Sequence, residues 1–131
     1  MGLFDGLLGH GTEVDDSKLA GRLEGVLIDG ETTEIAFKVI EDFFVFTQYR
    51  LILVDLQGIT RSKAEYLSIP YKSIVRFSVE TAGTFDLEAE LKIWVSGDSA
   101  PIQKTLKKGT DVRGVQRAIA TGIFVGQRSQ S

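Results

Sequence analysis

Ile69-Pro70-Tyr71-Lys72-Ser73-Ile74-Val75-Arg76-Phe77-Ser78-Val79-Glu80-Thr81-Ala82-Gly83-Thr84-Phe85-Asp86-Leu87-Glu88-Ala89-Glu90-Leu91 reads as the end of one strand, a turn, a second strand, a Gly-centred turn and a third strand. Pro70 offers no N–H to a ladder, so the strand from Ala64 to Ile69 is expected to stop there and Tyr71-Lys72-Ser73 to turn the chain. Ile74 to Thr81 follows as a strand. Phe85, Leu87, Ala89, Leu91, Ile93 and Val95 then alternate with Asp86, Glu88, Glu90, Lys92 and Trp94. That alternation sets the register, because a slip of one residue would bury three carboxylates.

Working outward, Ile35, Phe37 and Val39 share one face of a first strand beginning at Thr32. Phe43 to Thr47 and Arg50 to Asp55 are β-rich and separated by Gln48-Tyr49, the pattern of a hairpin. Gly58 lies in the next turn, and Ile102 to Lys107 is the seventh strand after Gly97-Asp98. Two helices flank the strands. Asp15-Asp16-Ser17 precedes Leu19, Leu23, Val26 and Leu27, which predicts a helix over about 16–28. Thr110-Asp111 caps a C-terminal helix carrying Val112, Val115, Ile119 and Ile123 on one stripe. The expected fold is mainly β: a seven-stranded antiparallel orthogonal sandwich or partly open barrel, closed by the C-terminal helix and joined by an extra N-terminal helix.

With 131 residues, 43% apolar and 25% charged, the chain suits one domain with a real core. The expected organisation is a Gly-rich apolar leader (1–14), the N-terminal helix (15–30), the main domain (31–124) and a disordered tail (125–131). Cysteine and asparagine are absent, which excludes disulfides, thiolate chemistry and N-glycosylation and favours a reducing, cytoplasmic setting. The longest apolar runs fall far short of the roughly 20 residues a spanning helix needs. The N-terminus lacks the basic region of a secretory signal, and Gly6 stands where a myristoylation motif has Ser or Thr.

The stretch from Ile69-Pro70-Tyr71 to Glu80-Thr81-Ala82-Gly83-Thr84-Phe85-Asp86, with Glu90-Leu91-Lys92-Ile93-Trp94, resembles the short bacterial pleckstrin-homology family over about residues 30–124. The resemblance implies a PH-like domain of a bacterial cell, in a family whose characterised members assemble into rings, and it supplies no active site. Eukaryotic relatives hold inositol phosphates with cations in and beside the first hairpin loop. Here that loop is Ile40-Glu41-Asp42, with only Lys38 near, so the head-group site is expected to be missing.

Chemistry-bearing patterns are scarce. His10, the only histidine, lies in the leader; Asp86, Glu88 and Glu90 read as a solvated or partner-facing row; Lys107-Lys108-Gly109-Thr110 lacks the spacing of a phosphate loop. No catalytic, cofactor or metal site is therefore expected, and the protein reads as no enzyme. Charge is uneven: residues 1–103 carry 9 Lys or Arg against 17 Asp or Glu, a balance of −8, and residues 104–131 carry 6 against 1, a balance of +5. The absence of aromatic–basic alternation and a pI near 5.2 argue against nucleic acid.

Phe43 to Phe46 and Leu51 to Val54 are apolar on both faces, so something must cover the outer one: the 16–28 helix, a second copy, or both. The expected function is a scaffold or binding module forming a cyclic homo-oligomer, with another protein as a further candidate partner. Its candidate interface residues are Phe43, Phe44, Leu51, Leu53, Glu88, Glu90 and Trp94, and exposed strand edges add a further route. The alternative is a peripheral membrane adaptor that meets anionic lipid through Arg61, Lys63, Lys104, Lys107, Lys108, Arg113 and Arg117, aided by Leu3 and Phe4.

Overall fold

A computed structural model of the chain describes residues 16–58, 62–85 and 87–126. The leader with Leu3, Phe4 and His10, as well as Arg61 and Asp86, lies outside the described residues. Helix α1 (Asp16–Leu23) is followed by β1 (Thr33–Val39), β2 (Asp42–Thr47), β3 (Arg50–Gln57) and β4 (Lys63–Pro70). A 3₁₀ turn, Tyr71–Ser73, leads to β5 (Ile74–Thr81), β6 (Ala89–Val95) and β7 (Ile102–Leu106), and helix α2 (Val112–Thr121) closes the order. The strands form two antiparallel sheets, β1-β2-β3-β4 and β5-β6-β7.

The main core lies between the sheets and under α2. Phe37, Phe44, Leu51, Leu53, Leu91 and Ile93 meet there with Val112, Val115 and Ile119, so the predicted helix stripe is the one that packs. Asp111 caps α2 by accepting from the Gly114 N–H at 2.9 Å. At the far end of that helix the chain widens into a π turn over Gly122–Gly126. Gly122 sits flat against the Tyr71 ring, where any Cβ would collide.

A second cluster lies on the outer side of the first sheet. Leu19 and Leu23 of α1 pack on Phe43, Val45, Ile52 and Val54, with Val26, Leu27 and Tyr66 at the margin. The both-faced apolar strands are thus covered within one chain.

Three expectations need correction. α1 ends at Leu23 rather than near residue 28, because Gly25 takes a φ of 87° and turns the chain out of the helix. Val26 and Leu27 still reach the second cluster from that turn. β6 starts at Ala89, not Phe85, since pairing with β5 begins at Thr81 opposite Ala89 and the residues before it form the connecting turn. Leu87 is consequently 41% exposed, although Phe85 folds back on the core. β7 stops at Leu106, one residue before the expected end.

Candidate interaction surfaces

Phe43, Phe44, Leu51 and Leu53 were candidates for an interface because a small sandwich has only one inside. In the fold, Phe44, Leu51 and Leu53 belong to the main core and Phe43 to the cluster under α1, all less than 10% exposed. They are not available to another molecule, and the expectation is corrected for these four: α1 supplies the cover that a partner would have supplied.

The other three candidates remain at the surface. Glu88 is exposed in the turn before β6, whereas Glu90 and Trp94 project from the outer face of the second sheet. On that face Arg76 is the cross-strand neighbour of Trp94, its guanidinium carbon 4.5 Å from the ring centroid. Glu90 accepts a hydrogen bond from the Thr105 hydroxyl at 2.8 Å.

The cationic candidates divide between two places. Lys63 opens β4 in the first sheet, opposite Gln57. Lys104 is on β7, Lys107 and Lys108 are exposed in the turn after it, and Arg113 and Arg117 are exposed on α2. Arg113 is held over the Phe85 ring, 4.6 Å from its centroid. Lys104 pairs with the core residue Leu91, which turns its stem toward the inner side of the sandwich and its charge toward Asp42.

The first hairpin closes with only Ile40 and Glu41 between the paired residues Val39 and Asp42. Ile40 takes a φ of 60°, a conformation β-branched side chains resist, and stands 51% exposed at the tip. This turn presents a carboxylate and an apolar knob, and no basic cradle for phosphate. At its base Asp42 accepts from the Leu56 N–H at 3.3 Å, while burial and neighbouring Asp55 hold its carboxyl above the ordinary value despite Lys104.

One polar network escaped the sequence reading. Glu31 is buried, its pKa drawn down to about 2 chiefly by Arg50, whose Nε and Nη2 donate to its two oxygens at 2.8 Å each. Thr47 donates to Glu31 at 2.7 Å, and Arg50 also reaches the Val26 carbonyl at 2.7 Å and Ser68 at 2.8 Å. Gln48 adds bonds to Thr32 and Gly30. These contacts clip the α1–β1 connection to the β2–β3 hairpin. No spacing in the sequence marks a pair 19 residues apart; a charged residue opening an apolar strand was the only sign. Tyr71, buried with its hydroxyl raised well above the ordinary tyrosine range by burial, donates to the Thr47 carbonyl at 2.6 Å. Glu31 and Tyr71, both buried, are therefore engaged in holding the fold.

Among the described residues no group of three or more His, Cys, Asp or Glu is placed to hold a metal ion. No helix among them is long and apolar enough to cross a membrane. A shallow groove of about 460 Å³ runs between α1 and the start of β1, lined by Ala20, Leu23, Leu27 and Thr33 with Glu24 as its one charge.

Comparison with known proteins agrees with this architecture. The chain is 51% identical to the uncharacterized protein YjqA of Bacillus subtilis (strain 168), over 92% of this chain and 97% of that one. A crystal structure of a pleckstrin homology domain from Shewanella amazonensis SB2B superposes with a TM-score of 0.78 at 54% identity, covering 94% of this chain and 99% of the other. A DUF1696 family protein with a pleckstrin-homology domain from Shewanella loihica PV-4 gives 0.73 at 52% identity, over 86% and 97%. The model of the bacterial PH domain family matches residues 2–123, nearly the whole length over which strands, helices and clusters have been traced, and the chain belongs to that family.

Proposed function

We propose that this bacterial PH domain is a non-catalytic binding module that works as a closed ring of identical copies. The observation that carries the reading is the separation of charge. Lys107, Lys108, Arg113 and Arg117 are exposed on the β7–α2 end, while the exposed acids Glu24 and Asp29 lie in the α1–β1 connection, Glu41 in the β1–β2 turn and Glu65 on β4. A basic end that meets the acidic side of the next copy makes a heterologous contact, and such contacts close when the rotation allows. The engagement of Glu31 and Tyr71 in structural bonds supports a binding role over catalysis.

Light scattering on the purified full chain at micromolar concentration tests this. A mass of several protomers, falling at high salt and in an Arg113→Glu/Arg117→Glu variant, is the expected result. A monomer at low salt overturns it. A second reading, a peripheral membrane adaptor, is favoured by Phe124, 66% exposed just beyond the helix that carries Arg113 and Arg117. Sedimentation with anionic vesicles decides it: a protein left in the supernatant at low salt removes this alternative.

A further inference from the structure

α1 covers the outer face of the first sheet, but neither hydrophobic cluster includes a residue on the outer face of β5–β7. Among the described residues, three rows of side chains cross that face outside both clusters. Arg76 stands beside Trp94; Ser78, Lys92 and Gln103 form the middle row; Glu80, Glu90 and Thr105 form the third. Glu88 lies beyond them at the end of the connecting turn. The face is thus graded from basic to acidic along its strands, with successive rows about 7 Å apart.

The acidic row is unbalanced within one molecule. Glu80 and Glu90 are direct cross-strand neighbours, an arrangement that costs stability because like charges face each other. Among the described residues neither forms an ion pair, and neither does Lys92 in the next row. Thr105 holds Glu90 in place and Trp94 holds Arg76, so two of the charges are fixed before any partner arrives. Tryptophan and arginine are also the residues most favoured at the centres of protein interfaces.

We propose that a second copy of this chain docks on this face about a two-fold axis. The axis lies in the contact plane, across the strands, between the Lys92 and Glu90 rows. Lys92 of each copy then meets Glu80 and Glu90 of the other, and Arg76 faces the other copy's Glu88. A two-fold running along the strands would instead set Lys92 on Lys92 and Glu90 on Glu90, so charge selects the crosswise orientation. The contact is isologous, with each surface the complement of itself. It rests on the reading that the domain associates with its own kind, and it goes beyond the ring by pairing copies through a face the β7–α2 contact does not use.

Charge reversal on the full chain, followed by light scattering and sedimentation, tests it. Lys92→Glu alone and Glu80→Lys/Glu90→Lys without it each set like charges together in both halves of the contact, and each is expected to lower the mass by a factor of about two. The triple variant Lys92→Glu/Glu80→Lys/Glu90→Lys restores opposite charges and is expected to restore the mass. Cooperative thermal unfolding in all three shows that the fold is kept. Partial variants that keep the wild-type mass, or a triple variant that stays low, overturn the contact. If Arg113→Glu/Arg117→Glu lowers the mass while Lys92→Glu does not, the two-fold is overturned and the ring stands; a wild-type monomer overturns both.

Discussion

Glu31 and Asp42 titrate in opposite senses, and their surroundings say why. Glu31 has left water but gained Arg50, Thr47 and the Ile28 N–H, so its charged form is favoured and its pKa falls from 4.5 to about 2. A carboxyl lowered in the folded state contributes stability that is complete above its unfolded value and is lost as pH falls from about 4.5 through 2. The shift corresponds to ~3 kcal/mol. Glu31→Gln should therefore lower stability at pH 7 by about 3 kcal/mol, leaving Arg50 without its counter-charge, and should flatten the acid limb of a denaturation series. Asp42 is raised, by burial first and then by Asp55. A raised carboxyl favours folding only while protonated, below its ordinary 3.8, and that contribution is lost as pH rises through the folded value. Asp42→Asn should then raise the melting temperature at neutral pH and leave it nearly unchanged at pH 3. Equal shifts at both pH values would contradict the origin assigned to the raised carboxyl.

Among the elements, the strands were legible in the sequence because period-two alternation is local, and β1 to β5 begin and end within two residues of expectation. The turn before β6 was not, since Phe85 and Leu87 continue the alternation by chance while the ladder opens only at Ala89. Gly25 is hidden in the same way: an apolar stripe that continues through Val26 and Leu27 conceals the residue that ends α1. The close of α2 depends on a contact no local pattern records, the seating of Gly122 against Tyr71. Helix propensity alone favours Ala over Gly by about 1 kcal/mol. Sterics reverse the sign, because the Tyr71 ring is buried and its hydroxyl is tied to the Thr47 carbonyl. Gly122→Ala should destabilise the domain by about 1–3 kcal/mol in urea denaturation, and a Tyr71→Leu background should recover part of that loss.

On the scale of the whole molecule, the apolar outer face of β2 and β3 posed a question that composition could not settle: which body covers it. Both answers satisfy the sequence, because a helix of the same chain and a neighbouring copy offer the same kind of apolar stripe. The fold places α1 there, and so Phe43 is spent inside the chain while Glu90 and Trp94 project from the other sheet. The Glu31–Arg50 clip fastens the α1–β1 connection to the hairpin beneath, which keeps the covering helix from being an independent appendage. Removing the cover should then expose a second adhesive face that the native protein does not present. Leu19→Ser/Leu23→Ser strips the two α1 side chains buried against Phe43, Val45, Ile52 and Val54, at a cost of about 2–5 kcal/mol for each leucine. The variant should bind a fluorescent hydrophobic dye and scatter as salt-resistant aggregates, unlike the salt-sensitive assembly expected of the wild type. Unaltered stability and no dye binding would show that α1 does not protect this face, and would make Phe43 a candidate for contact with another copy once more.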